Sequence, residues 1–232
     1  MKYGVLILLV ALTSCGSPGR RVAEPTVVRP SEVIDFRVLY TQNCSGCHGI
    51  DGQGALTVAI GSPVYLAIAD GATIRRAIEG GRPGTAMPAF AQNAGGLLTV
   101  AQIDILVRGI RERWAKPAAL GSDRPPAYTA SQPGDAARGH NVFTTYCSSC
   151  HGSEGRGGRA GSIVDSSYLA LVSDQHLRTV TIIGMPALGA PDWRGNVPGK
   201  PMSDADVTDV VAWLAAQRQP LSVKLNHPGG LE

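Results

Sequence analysis

The chain has 232 residues, enough for one large domain or two small ones. A net charge of +3 with only 17% charged residues excludes the strongly basic character that nucleic-acid binding requires. Aromatic residues make up 5% while Gly (29) and Pro (16) are abundant, so two domains of about 100 residues would have thin cores unless something else supplied apolar mass.

Lys2 precedes an apolar run from Val5 to Leu12, too short to span a membrane. With its basic start and short apolar centre it resembles a signal peptide. The run ends in Leu12-Thr13-Ser14-Cys15, which resembles a bacterial lipobox. That resemblance implies a lipoprotein signal peptide over residues 1–15, with Cys15 lipidated as the mature amino terminus. Ordinary secretion with a spare cysteine is the alternative, but one leftover thiol in an exported protein favours a modified one. Gly16 follows instead of Asp, which points to the outer membrane in a Gram-negative cell. Residues 16–30 carry Pro, Gly and Arg without periodicity and read as a flexible tether.

Two runs then stand out, Cys44-Ser45-Gly46-Cys47-His48 and Cys147-Ser148-Ser149-Cys150-His151. Each is a CxxCH motif, the signature of covalent c-type haem attachment. Two thiols at this spacing can add across the haem vinyl groups, and the adjacent imidazole turns onto the iron. A buried haem would also supply the apolar mass that each small core lacks.

The similarity extends well beyond the motifs. At an offset of 103 residues, Tyr40 falls on Phe143, Tyr65-Leu66-Ala67 on Tyr168-Leu169-Ala170, and Gly81 on Gly184. After one inserted residue, Ile103, Leu106, Val107 and Ile110 fall on Val207, Val210, Val211 and Leu214. The chain is therefore two copies of one unit, residues 31–115 and 134–219. A Pro- and Gly-bearing linker, 116–133, joins them, with Pro125-Pro126 at its middle, and a polar tail, 220–232, follows.

Each copy is predicted to be all-α, with about three helices and long loops. The first helix covers residues 31–42 or 135–146 and leads into the haem motif. The second begins at the cap residue Asp70 or Ser173 and stops at Gly80-Gly81 or Gly184. The third starts at Thr99 or Ser203 and carries its apolar stripe at i, i+3, i+4 and i+7. Each copy thus resembles the class I cytochromes c, in which the first and last helices cross beside a haem. The resemblance implies two covalently bound haem c groups, held by Cys44, Cys47 and His48 and by Cys147, Cys150 and His151.

Competing readings of these residues are weak. A zinc site needs more ligands than one CxxCH provides, and a thioredoxin-like pair would need a strand-rich setting.

The opposite face of each iron needs its own ligand. In the first copy Met87 lies in Gly84-Thr85-Ala86-Met87-Pro88-Ala89-Phe90 and resembles the Met loop of the family. In the second copy Met87-Pro88-Ala89-Phe90 aligns with Ala190-Pro191-Asp192-Trp193, so the sulfur is missing. Met185, followed by Pro186, is the leading candidate. The alternatives are Met202, which aligns with Leu98, His176 near the start of the middle helix, and an open or water-bound iron. His176 and His140 are expected to face solvent, and His227 lies in the polar tail.

His–Met ligation raises the potential of a haem and leaves it to exchange electrons at its edge. The sequence therefore predicts a two-haem electron carrier, not an enzyme, tethered by lipid outside the cytoplasm between respiratory or photosynthetic redox partners. An open iron in the second copy would instead bind a gas or reduce peroxide. A third reading is the electron-accepting cytochrome subunit of a dehydrogenase or respiratory complex.

Overall fold

The computed structural model describes residues 28–54 and 57–219; Cys15, the signal segment, His227 and the tail lie outside them. Among the described residues the fold is all-α, with no strand and only two isolated bridges. The first copy contains α1 (Phe36–Asn43), α2 (Ser45–His48), α3 (Pro63–Ile68), α4 (Gly71–Gly80) and α5 (Val100–Trp114). The second repeats the order as α6 (Ala136–Tyr146), α7 (Ser148–His151), α8 (Ser166–Leu171), α9 (Asp174–Ile183) and α10 (Asp204–Ala216). Three expected helices per copy become five, because one-turn α2 and α7 and the short α3 and α8 are too brief to show periodicity.

Local side-chain chemistry decides where the helices start. Asp70 accepts from the Thr73 amide at 2.7 Å and Ser173 from the His176 amide at 3.2 Å. Thr99 and Ser203 close reciprocal capping boxes with Gln102 and Asp206. The first helix departs from expectation: it begins at Phe36, because Asp35 caps it by accepting from Val38 at 2.8 Å. Residues 30–32 form a separate 3-10 turn. In the second copy Asp135 plays the same role, and the helix starts where the sequence predicts.

The first and last helices of each copy cross closely at a glycine, which faces the Phe36 ring in the first copy and helix backbone in the second. On α5, a Cβ at Gly109 would come within 2.2 Å of the Phe36 ring of α1. In the second copy the glycine has changed helix: Gly139 occupies Phe36's position and Trp213 occupies Gly109's. A Cβ at Gly139 would lie 2.0 Å from the Asp209 carbonyl oxygen and 2.8 Å from the Trp213 Cβ. The pair is the same and its partners are exchanged.

Around these crossings Leu39, Ile103, Leu106 and Ile110 fill one core, and Phe143, Leu169, Val207 and Val210 the other; all are fully buried. Trp213 stacks on Phe143 at 4.4 Å and covers His140, which is half-buried instead of solvent-facing.

The two copies are in contact. α3 packs against α9, and the buried core runs continuously from one copy into the other. The linker starts against the first copy, where a 3-10 turn at Pro117–Leu120 packs on α3, and then lies along the second copy as a strap. Arg178, only 3% exposed, donates to the Ala127 and Tyr128 carbonyls and pairs with Asp204. Asp123 at the start of the strap pairs with Arg194 at 2.8 Å.

Candidate haem-attachment sites

Each candidate site is built on one helical turn. α1 ends at Cys44, and the His48 amide donates back to the Cys44 carbonyl at 3.0 Å. The Cys147 carbonyl accepts from His151 at the same distance. This turn brings the two cysteines of each motif onto one face, three residues apart, with the histidine beside them. None of the four is in a disulfide. Burial, then the neighbouring Cys47, pushes the Cys44 thiol up to about 12; burial and Cys150 do the same to Cys147. The Arg159 guanidinium, donating at 3.0 Å, and then Ser149 hold the half-buried Cys150 thiol below its ordinary value.

The histidines are oriented identically. His48 Nδ1 lies 2.9 Å from the Val58 carbonyl oxygen, and His151 Nδ1 lies 3.0 Å from the Gly161 carbonyl oxygen. Both carbonyls sit ten residues after the histidine. A carbonyl only accepts, so Nδ1 carries the hydrogen and Nε2 keeps a free lone pair for a metal. Burial holds His48 below its usual imidazole range, partly offset by the Val58 bond. Gly52 and Gly54 in the first loop and Gly155 in the second have positive φ, which lets the backbone turn back toward the histidine. Two thiols plus one imidazole with a free Nε2 fit a covalently attached, iron-ligated haem c.

The segment that carries Met87, and its counterpart in the second copy, is a tight hairpin. After Gly81 (φ +66°), the Arg82 amide donates to the Met87 carbonyl at 3.0 Å, and the Met87 amide to Thr85 Oγ1 at 3.2 Å. After Gly184 (φ +69°), the Met185 amide donates to the Ala190 carbonyl at 2.9 Å, and the Ala190 amide returns at 3.2 Å. Met185 thus occupies Arg82's place, and Ala190 that of Met87. Met185 also lines a small cleft against Gln53, Thr57 and Ala59 of the first copy.

The other two candidates lie elsewhere. Met202 is 3% exposed, and its amide donates to the Trp193 carbonyl just as Leu98 donates to Phe90. It fills core, as its alignment with Leu98 predicts. His176 is half-buried, not solvated, and burial followed by the nearby His48 lowers its basicity. Its ionisable neighbour belongs to the other copy, which no local pattern could reveal.

The sequence profile of cytochrome c oxidase, cbb3-type, subunit III matches residues 32–108 and 134–214. The chain belongs to this family. It is a c-type cytochrome, an electron-transfer protein whose family carries covalently bound haem c. The cytochrome c subunit of the cytochrome bc1 complex of Mycobacterium bovis is 24% identical over 98% of this chain and 79% of its own length. The CcoP subunit of the cbb3-type oxidase of an Azospirillum species is 28% identical over 55% of this chain and 42% of its own. Among solved structures, a Kuenenia stuttgartiensis reducing HAO-like protein complex covers 79% of this chain and 96% of the matched chain, at 16% identity and a TM-score of 0.47. Among the described residues no helix is long and apolar enough to cross a membrane.

Proposed function

We propose that this cytochrome carries two haems and passes electrons between redox proteins of a respiratory chain outside the cytoplasm, held at the membrane by lipid on Cys15. The observation that carries the reading is the duplicated attachment turn. Both copies present two cysteines on one turn and a histidine whose Nδ1 meets a carbonyl ten residues on. The relatives named as bc1 complex and cbb3 oxidase subunits support a place beside such complexes.

Cys44 and Cys47 would hold one haem and Cys147 and Cys150 the other, with His48 and His151 ligating iron through Nε2. Bound haem c supplies a one-electron iron couple. Met87 would complete the first site with its sulfur, its backbone being fixed by Arg82 and Thr85. In the second site, Met185 and Ala190 exchange both backbone hydrogen bonds. Residues paired this way project side chains to the same side of the ribbon. Met185 can therefore offer its sulfur on the face where Ala190 has none, which favours ligation over the open-iron, ligand-binding or peroxide-reducing reading.

The test is haem stoichiometry of the mature protein, by haem staining on a denaturing gel and pyridine haemochrome assay. Two haems per chain are expected, falling to one in Cys47→Ala or Cys150→Ala. A single haem in the unaltered chain overturns the reading. Cys15→Ser is expected to release the chain from the membrane fraction, and continued membrane association would remove the lipid anchor.

A further inference from the structure

The linker reaches the first candidate site. Arg82, which donates its amide to the Met87 carbonyl, extends its guanidinium to the Tyr128 hydroxyl at 2.5 Å. Arg82 also accepts at its own carbonyl from the Thr85 amide at 3.0 Å and hydroxyl at 2.8 Å, and that hydroxyl in turn accepts from Met87. Tyr128 is itself anchored to the second copy. Its carbonyl accepts from Gln175 Nε2 at 2.8 Å and from buried Arg178 at 3.2 Å. The adjacent Ala127 carbonyl accepts from Arg178 and its amide donates to Asp204 at 3.0 Å. One continuous set of hydrogen bonds therefore runs from α9 and α10, through the strap, to the loop that carries Met87. The second loop is tied to the strap differently: Met185 stands at the place of Arg82, and the contact is made instead by Arg194, which pairs with Asp123 of the strap at 2.8 Å and with Asp192 of its own loop at 2.7 Å.

We infer that Tyr128 is a positioning residue for Met87. The strap, bonded to the second copy, holds Arg82 and so fixes the loop from which Met87 would offer its sulfur to the first haem. The inference rests on Met87 being that haem's ligand. It would make sulfur ligation in the first copy depend on Tyr128 and on docking of the second copy, a dependence that Met185, with no counterpart of Arg82, does not share. A charged hydrogen bond of this kind contributes enough that its loss should raise the population of displaced Met87 about tenfold.

The experiment uses the full two-haem chain with imidazole as the competing ligand, read by the near-infrared methionine-to-iron charge-transfer band. Met87→Ala first identifies the band of the first haem. If that variant leaves the band intact, Met87 is not the ligand and the underlying reading fails on its own. With the band assigned, Tyr128→Phe is expected to tighten imidazole binding about tenfold at that haem and to leave the other unchanged. Unaltered affinity at the first haem, or equal change at both, overturns the inference. Should Tyr128→Phe not take up haem, Arg82→Gln and Arg82→Lys replace it. Lys keeps a charged donor and is expected to hold imidazole affinity nearer the parent than Gln; equal behaviour of the two overturns the inference as well.

Discussion

A methyl group placed on Gly139 would lie 2.0 Å from the carbonyl oxygen of Asp209, where α6 crosses α10. The corresponding contact in the first copy is made to a side chain, the Phe36 ring, at 2.2 Å from Gly109. A ring can rotate away, whereas a hydrogen-bonded helix backbone must move as a body.

The two glycines should therefore tolerate alanine differently. Gly139→Ala is expected to destabilise by about 1–3 kcal/mol or more, as over-packing does. Gly109→Ala gains about 1 kcal/mol of helix propensity against a softer clash and should cost less. Denaturant unfolding of the haem-loaded chain checks the order, and a larger loss at Gly109 would contradict it.

Asp209 also sets an acid response. It accepts from Arg138 Nε at 2.8 Å and from the Asp135 amide at 2.7 Å, and chiefly the Arg138 bond holds its carboxyl below the usual range. A depressed folded value means this stabilisation is complete above the unfolded value near about 4 and is lost as pH falls through the folded one. Asp209→Asn should therefore be less stable than the parent at pH 7, and the gap should narrow at about pH 3. A gap constant from pH 7 to pH 3 would show that Asp209 does not titrate with folding.

At the proposed second haem site, Met185→Ala is expected to let carbon monoxide and cyanide bind readily, while Met202→Leu leaves ligand binding at the parent level. Met202 sits in Leu98's place in the core, so its loss should register only as a stability change of about 1 kcal/mol. Optical titration of each variant separates the two methionines, and tight exogenous binding by the parent would favour an open iron.

Tyr40 donates its hydroxyl to the Gly49 carbonyl at 2.8 Å, beside His48. Its counterpart, Phe143, makes no such bond and is fully buried. Tyr40→Phe should thus fold and take up haem, at a cost of about 1 kcal/mol in unfolding. Loss of the first haem in this variant would show that the hydroxyl is needed to hold the attachment loop.

Much of the architecture is local and was open to reading along the chain. The caps Asp70, Thr99, Ser173 and Ser203 each bond an amide three residues on, so the interaction is contained in four consecutive residues. Gly81 and Gly184 end their helices because the backbone there takes positive φ, again a property of the residue itself. The start of α1 departs from the apolar spacing because two signals overlap: the spacing runs back to Val33, but Asp35 caps from inside it. α3 and α8 stayed hidden because six residues are too few to display a period.

Spacing along the chain is enough to predict a duplicated all-α unit with two CxxCH turns, one aligned Met87 and one Ala190 in its place. What meets across long separations emerges only when the helices dock. Docking packs Met202 into the core, brings His176 within electrostatic reach of His48, and covers His140 with Trp213. It also turns the proline-bearing linker into a strap whose Tyr128 bonds Arg82, 46 residues earlier in the chain. Such contacts depend on how whole helices dock through the summed burial of both cores, and nothing in the residues flanking Arg82 or Tyr128 encodes the partner.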